Sequence, residues 1–116
     1  DFEALLDQAR DELAAFVGAD SLDLVFVPNA TTGVNAVLRS LVFTPDDELL
    51  TTNQEYNACR NALNFVAERS GAKIVVADVP YPIDSPQQVV DAVLEAVTPK
   101  TRLVLIDHVT SQTGLI

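Results

Sequence analysis

The sequence predicts an α/β fold, a three-layer sandwich in which a mostly parallel sheet lies between two layers of helices. Two observations predict it. Segments with helical periodicity alternate with short apolar segments in the order αβαβαβαβ, and the short segments are apolar on both faces. Such strands are typical of parallel sheets that are covered by helices on both sides. With 116 residues, 48% of them hydrophobic, the chain is large enough for one modest domain with a packed core.

The first part of the chain is predicted to form a helix, a strand and a second helix. Apolar residues recur on one helical face from Phe2 to Val17, and Gly18 follows as a C-cap. Leu24 to Val27 is continuously apolar and is predicted to be a strand. The stretch PNATTGVNAVLRSL follows directly. Its apolar side predicts the second helix and consists of Val34, Val37, Leu38 and Leu41.

The rest of the chain repeats the alternation of strand and helix, with turn signals such as Pro45-Asp46-Asp47 between elements. The predicted strands are Glu48 to Thr52, Lys73 to Val79 and Leu103 to Ile106; the predicted helices are Ala58 to Arg69, with Gly71 as C-cap, and Pro86 to Val97, with Ser85 or Asp84 as N-cap. Ligands of parallel sheets bind at the carboxyl ends of strands. The loops expected there are Pro28 to Thr32, Asn53 to Asn57 and Asp107 to Gly114.

Charge and cysteine content limit the partners. The formal net charge of −10 disfavours nucleic acid and anionic membrane surfaces. No apolar run reaches the length of a membrane span. Cys59 is the single cysteine, so an internal disulfide is impossible, which suits a reducing, cytoplasmic location. The chain starts and stops abruptly, and we expect it to be a piece of a longer protein in which residues 1–116 form part of a domain.

The turn before the second helix is suited to a phosphate group. Asn29, Ala30, Thr31 and Thr32 lie where a helix presents its unpaired N–H groups and its positive dipole end. Small residues allow an anion to approach, and the threonines add hydroxyl donors. The turn is neither a Walker loop nor a three-glycine dinucleotide motif. The alternative is that Asn29 is an ordinary N-cap and the threonines are ordinary residues of the first turn.

Three stretches, FVPNATTGVNAVLRSL, NQEYNACRNAL and LVLIDHVTSQTGLI, occur in this order. Together they resemble the class V aminotransferase family of fold-type I enzymes, and within it the isopenicillin N epimerase-like branch; cysteine desulfurases and selenocysteine lyases are more distant relatives. The resemblance covers nearly the whole chain. It implies part of the large domain of an enzyme that uses pyridoxal 5′-phosphate (PLP), acts on an amino acid or a related amine, and forms a homodimer.

The resemblance also implies which residues hold the cofactor. Ala30 and Thr31, with Thr32 beside them, match the family's phosphate-binding turn. Asn57 occupies the position that stacks on the pyridine ring. Tyr56 is the alternative, since an aromatic ring stacks better than an amide.

The loop after the last strand and the lysines complete the comparison with the family. Ser111 matches the residue that hydrogen-bonds the phenolic oxygen of the cofactor, and Thr110 is a less favoured substitute. Lys73 and Lys100 are predicted at the amino ends of strands, away from the site. The Schiff-base lysine and the aspartate that pairs with the pyridine nitrogen are therefore expected beyond Ile116, and the 116-residue chain alone is expected to be inactive.

Several residues have a functional and a structural interpretation. Asp107 could pair with the pyridine nitrogen but is more often a loop cap. His108 could be a general base but is more often structural, and Cys59 is read as a buried small hydrophobic residue rather than a desulfurase nucleophile. Arg39 and Arg60 could bind a substrate carboxylate or lie on exposed helix faces, and both interpretations stay open.

Alternative functions also stay open. The chain could belong to an enzyme like the cysteine desulfurases or selenocysteine lyases. It could also be a non-catalytic α/β module that binds a phosphorylated small molecule or a partner protein. A flavodoxin-like or dinucleotide-binding domain is a further possibility, and the missing glycine motif argues against its dinucleotide version.

Overall fold

The computed structural model describes all 116 residues. The helices are α1 (Phe2–Val17), α2 (Ala30–Ser40), α3 (Asn57–Ser70) and α4 (Pro86–Glu95), the strands are β1 (Glu48–Thr52), β2 (Lys73–Ala77) and β3 (Thr101–Val104), and a short 3-10 helix spans Ser21–Asp23. The chain divides into two compact units, Asp1–Gly33 and Val34–Ile116. None of its helices combines the length and the apolarity that a membrane crossing needs.

The first unit contains α1, which has the predicted bounds. Asp1 caps its start, where the Glu3 N–H donates to the Asp1 carboxylate at 3.4 Å. Gly18 ends it in the left-handed conformation (φ 72°), and its N–H donates to the Ala14 carbonyl. A side chain is disfavoured at such a φ, so glycine is the residue that ends this helix at low cost. The predictions of the helix and of its cap are confirmed.

The predicted strand Leu24 to Val27 is wrong. Its backbone starts out extended, with φ −106° and ψ 136° at Leu24, yet the segment is not part of the sheet. Val25 and Phe26 are exposed. A strand requires a neighbour that accepts and donates its backbone hydrogen bonds, and an apolar run does not supply one. The alternation of elements therefore contains three strands rather than four.

The second unit is built on a parallel sheet with the strand order β2-β1-β3. The central strand β1 has the predicted bounds and is buried along its whole length. The predicted second strand ends at Ala77 instead of Val79. The last strand, predicted for Leu103 to Ile106, spans Thr101–Val104 in the structure. Just beyond its end, the Leu105 N–H still donates to the Leu50 carbonyl at 2.9 Å. The predicted parallel α/β class is confirmed.

The core of this unit lies between α3 and the sheet. Leu38, Leu49 and Leu63 are almost fully buried and belong to one apolar cluster. α3 extends one residue beyond its predicted bounds at each end, and α4 stops at Glu95 rather than Val97. Gly71 ends α3 with φ 77°, and a Cβ there would lie 3.2 Å from Pro45 Cγ. The helix end and the turn before β1 therefore fit closely.

Candidate functional site

The loop that follows β1 is bound to the end of β2. Asn53 Nδ2 donates to Asp78 Oδ1 at 2.6 Å and to the Val79 carbonyl at 3.1 Å. The Val79 N–H in turn donates to Asn53 Oδ1 at 3.1 Å. Because the strands are parallel, their carboxyl ends lie at one edge of the sheet, and the Asn53 side chain connects two of them.

The same loop is bound to the segment that follows β3. The Tyr56 N–H donates to Asp107 Oδ2 at 3.0 Å, and the Thr113 hydroxyl donates to Gln54 Oε1 at 3.4 Å. Both contacts join residues more than 50 positions apart in the sequence. The structure thus brings together two of the loops predicted to carry the site, residues 53–57 and 107–114.

Tyr56 and Asn57 lie at the start of α3. Tyr56 is the N-cap residue, and its carbonyl accepts from the Arg60 N–H at 2.9 Å. Its backbone is therefore fixed from both sides, while its side chain is 44% exposed. Asn57 is the first residue of the helix and is also exposed. Both side chains remain available to a ligand at this edge.

Thr110 and Ser111, in the turn after β3, have different contacts. The Thr110 hydroxyl accepts from the Leu115 N–H at 2.8 Å and lies 2.7 Å from the Thr113 hydroxyl. Thr110 therefore closes the turn. Ser111 is exposed and its hydroxyl makes no hydrogen bond within the chain. Of the two, Ser111 has the free hydroxyl that a ligand could use.

Glu55 is the residue that the sequence analysis missed. Its side chain is 5% exposed, and the fully buried Thr51 donates its hydroxyl to Glu55 Oε2 at 3.1 Å. Glu55 Oε1 is buried without a hydrogen-bond partner. Burial and, after it, the charge of Asp107 raise the pKa of Glu55 from 4.5 to about 7. A glutamate between a buried strand and a helix start was the available signal.

Asp107 lies half-buried beside Glu55 and accepts the Tyr56 N–H. Its contacts are those of a residue that fixes the neighbouring loop at the N-terminus of α3, where a carboxylate is favoured. They support the interpretation of Asp107 as a loop cap. His108 next to it is exposed.

A mostly apolar cavity of about 190 Å³ lies at the same edge. Its lining includes Thr52, Gln54, Val79, Ile106 and Asp107. Apolar walls with a few polar groups are typical of small-molecule sites. A larger cavity, of about 350 Å³, lies beside Phe65, away from these loops.

The two arginines and the cysteine have structural contacts. The Arg39 guanidinium lies 4.4 Å from the centre of the Phe65 ring, and its Nε donates to Asn35 at 3.3 Å. Arg60 donates to Asn64 one turn along α3, at 3.3 Å. These contacts favour the helix-face interpretation over a substrate carboxylate site. Cys59 is 5% exposed inside the core, as expected.

In the first unit, Asn29 directly precedes α2 and caps the first turn of this helix. Its Oδ1 accepts from the Thr32 N–H at 2.9 Å and from the Thr32 hydroxyl at 3.1 Å. This confirms the capping interpretation. Ala30 is exposed and Thr31 is half-buried at the first turn of the helix. The turn has the small residues and the helix N-terminus that a phosphate would need.

The lysines lie at the opposite edge of the sheet, as predicted. Lys73 Nζ is 3.4 Å from Glu48 Oε1, and Lys100 Nζ is 4.0 Å from Asp46 Oδ1. Both lysines precede or begin strands, at the amino ends. Neither is placed to act at the carboxyl-end loops.

Comparison with solved structures defines the class of protein. The chain superimposes on the cystine C–S lyase C-DES, in complex with its product cysteine persulfide, with a TM-score of 0.89 and 27% identity, covering 98% of this chain and 30% of that one. A C-DES mutant with glycine covalently linked to the PLP cofactor gives the same TM-score of 0.89, covering 98% and 29%. The parallel sheet and its helices are thus those of a PLP-dependent enzyme fold.

The family is shown by sequence. The aminotransferase class-V family model matches residues 1–116. The chain belongs to this family. It is 38% identical over 113 residues to isopenicillin N epimerase of Streptomyces clavuligerus, covering 97% of this chain and 28% of that protein. It is 37% identical over 115 residues to isopenicillin N epimerase of Amycolatopsis lactamdurans, covering 97% and 29%.

These comparisons confirm the predicted family, the fold class and, for the family, the PLP cofactor. The chain spans less than a third of the length of the two epimerases that it matches.

Proposed function

We propose that this chain forms part of the PLP-binding domain of an enzyme that acts on an amino acid or a related amine, in the manner of the isopenicillin N epimerase-like branch. The observation that carries the proposal is the joining of the loops after β1 and β3 at the carboxyl end of the sheet, through Tyr56 and Asp107 at 3.0 Å. Similarity to two isopenicillin N epimerases supports the branch.

The chemistry of the residues present fits the cofactor. The start of α2 combines small residues with a helix N-terminus, which suits a phosphate group. Tyr56 has an exposed aromatic ring, which suits stacking on a heterocycle. The hydroxyl of Ser111 is unengaged, which suits a hydrogen bond with a phenolic oxygen.

When bound, PLP supplies an electron sink for negative charge at the substrate Cα. In the proposal, Ala30 and Thr31 bind the phosphate at the N-terminus of α2, and Thr32, whose N–H and hydroxyl donate to Asn29, lies beside them. Tyr56 or Asn57 orients the ring by contact with its face. Ser111 holds a proton near the phenolic oxygen.

Two groups that the chemistry needs are assigned outside this chain. Lys73 and Lys100 lie at the amino ends of strands, so the proposal places the lysine that reacts with substrate, and the carboxylate at the ring nitrogen, beyond Ile116. The proposal also includes a homodimer, which the family resemblance implies, and a cytoplasmic location, which the single cysteine suits. Light scattering of the full-length protein tests the homodimer.

The phosphate-binding turn is tested by substitution in the full-length protein. Thr31→Phe places a bulky ring at the start of α2, and we expect it to raise the PLP dissociation constant by roughly tenfold or more, as the loss of hydrogen bonds to a charged group does. Ser40→Phe, at the other end of the same helix, is the matched control and should leave the constant unchanged. Equal constants for both variants, with wild-type circular dichroism, would contradict the assignment of the turn.

The reaction type is tested with substrates. Exchange of the Cα hydrogen of an amino acid with solvent deuterium, without loss of a side chain, supports the epimerase-like reaction. Release of sulfur from cysteine or cystine supports instead a lyase or desulfurase, the class favoured by the similarity to C-DES. PLP binding or phosphate-ester binding without either reaction would favour the non-catalytic module.

A further inference from the structure

Two carboxyl groups from distant parts of the chain, those of Glu55 and Asp107, interact at the start of α3. Glu55 belongs to the loop after β1, and Asp107 follows β3. Glu55 Oε2 accepts the Thr51 hydroxyl at 3.1 Å, whereas Glu55 Oε1 is buried without a partner. Asp107 Oδ2 accepts the Tyr56 N–H at 3.0 Å. Tyr56 directly follows Glu55, so both acids hold the same turn.

A buried carboxylate oxygen without a hydrogen bond is costly, and two adjacent carboxylates disfavour double ionisation. A single proton removes both costs. Placed on Glu55 Oε1, it converts the unpartnered acceptor into a donor, and Asp107 is the neighbouring acceptor. The resulting O–H···O⁻ bond between an acid and a carboxylate is of the strong, charge-assisted kind.

We infer that Glu55 is a positioning residue that keeps its carboxyl proton on the side of Asp107, and that this shared proton fastens the Tyr56–Asn57 turn to the end of β3. Because Tyr56 and Asn57 are the residues proposed to contact the cofactor ring, the inference rests on the proposed function for its consequence. The shared proton itself does not depend on a cofactor.

The groups that face Glu55 agree with this assignment. From β1 comes the Thr51 hydroxyl, from the start of α3 the Tyr56 amide, and from the end of β3 the Asp107 carboxylate. Burial first and the Asp107 charge second raise the pKa of Glu55 to about 7, against the smaller opposing effect of the Thr51 hydrogen bond. No cation is among the groups that act on it.

The consequence is a turn whose order depends on pH. Below pH 7 the proton is present and the turn is fixed. Above pH 7 Glu55 loses it, two carboxylates face each other, and the turn loosens. Tyr56 and Asn57 then lose their position at the carboxyl edge of the sheet.

The proton is tested by NMR on the cofactor-free full-length protein, labelled with ¹³C at the glutamate side-chain carboxyl carbon. The resonance that disappears in Glu55→Gln should titrate near pH 7, and in Asp107→Asn its midpoint should move toward the ordinary glutamate value. A midpoint near 4.5, or no effect of Asp107→Asn, would overturn the inference. The Tyr56 amide resonance should shift with the same midpoint in wild type and show no such step in Glu55→Gln.

The positioning role is tested by PLP titrations between pH 6 and pH 8.5. The glutamine side chain can donate to Asp107 and accept from Thr51 at every pH. We therefore expect Glu55→Gln to bind PLP as tightly as wild type does at pH 6. At pH 8.5 wild type should bind PLP roughly tenfold more weakly than the variant, because a tenfold change in affinity is the effect expected from losing one hydrogen bond to a charged group. Titration of the PLP phosphate affects both proteins equally and cancels in the comparison. Glu48→Gln, at the other edge of the sheet, is the control and should follow the wild-type profile.

The outcomes separate the two proposals. If wild type binds no PLP, the proposed function fails, and the two NMR titrations still decide whether the shared proton fixes the turn. If PLP binds and the NMR midpoint is near 7, but wild type and Glu55→Gln have the same pH profile, the positioning role is overturned and the proposed function stands.

Discussion

Glu48 and Glu55, at the two ends of β1, have opposite surroundings. At the amino end, Thr98 donates its hydroxyl to Glu48 Oε2 at 2.6 Å and Lys73 lies 3.4 Å from Oε1. These contacts, the hydrogen bond from Thr98 above all, hold the pKa of Glu48 below its usual value. At the carboxyl end, burial and the charge of Asp107 raise the pKa of Glu55 to about 7.

The difference distinguishes an edge whose glutamate is paired within the chain from the edge at which we propose that the cofactor binds. At the amino edge Glu48 has both a hydroxyl donor and a cation, so its charge is compensated within the chain. At the carboxyl edge Glu55 and Asp107 each accept a hydrogen bond, from Thr51 and from the Tyr56 N–H, but neither has a cation. Tyr56 and Ser111, in the same two loops, are exposed. A buried acid with a raised pKa, as Glu55 is, is typical of functional sites.

The two glutamates also oppose each other in the pH dependence of stability. The pKa of Glu48 is lowered on folding, so its contribution is present above pH 4.5 and is lost as the pH falls below it. The pKa of Glu55 is raised on folding, so its contribution is complete below pH 4.5 and is lost as the pH rises from 4.5 to about 7. Above pH 7 the loss is complete and constant.

The largest effect is expected for Glu55→Gln in the full-length protein. Because glutamine does not ionise, the variant should lack the loss of stability that wild type shows between pH 4.5 and pH 7. At pH 8 it should be more stable than wild type by about 2 kcal/mol, since one pKa unit corresponds to about 1.36 kcal/mol and partial screening by solvent reduces the full shift. Denaturant unfolding at pH 5 and pH 8 measures this. An equal difference at the two pH values would remove the basis for the contrast between the two ends.

The sequence predicted those elements of the fold whose signals are local. The helix Phe2–Val17 and the strand Glu48–Thr52 have their predicted bounds, and Gly18 and Gly71 both end helices with positive φ. Apolar periodicity and a glycine at a helix end act within a few residues, so they can be read from the chain directly. The prediction that Lys73 and Lys100 lie at the amino ends of strands is correct for the same reason, since it depends only on which strand each lysine begins or precedes.

The features that were predicted wrongly or missed depend on contacts with residues that are distant in the sequence. Leu24 to Val27 has the composition of a strand but no neighbouring strand to pair with. Glu55 was passed over because its environment is set by Asp107, 52 positions later, which a reading of local patterns does not bring together. The choice between Thr110 and Ser111 likewise depended on a contact, the bond from the Leu115 N–H to the Thr110 hydroxyl. The family resemblance predicted residues for the site, and it assigned no role to Glu55.

An intermediate effect is expected when the Thr51 hydroxyl is removed. Thr51→Val leaves Glu55 Oε2 buried without its donor, which should cost about 1.5 kcal/mol at pH 8, within the range for a buried acceptor left unpaired. The Thr51 bond lowers the pKa of Glu55, so the variant should raise that pKa further and be closer to wild type at pH 5. Thermal unfolding at both pH values is the measurement. Thr98→Val, its counterpart at Glu48, should cost less, since the acid there keeps Lys73. A larger cost for Thr98→Val would reverse the assignment of the two edges.

The smallest effect is expected for Glu48→Gln. The amide oxygen still accepts the Thr98 hydroxyl, so the variant loses mainly the ion pair with Lys73, whose side chain is 70% exposed. The Glu48 side chain is only 12% exposed, but the Lys73 ammonium lies in water, where ion pairs contribute little and are screened by salt. The variant should therefore be slightly less stable than wild type at pH 7 in low salt, and the difference should shrink in high salt and as the pH falls below 4.5. Melting temperatures of both proteins under these three conditions provide the check. A difference as large as that of Glu55→Gln, or one that persists in high salt, would mean that Glu48 acts through burial and not through its charge, and the two ends of β1 would then be alike.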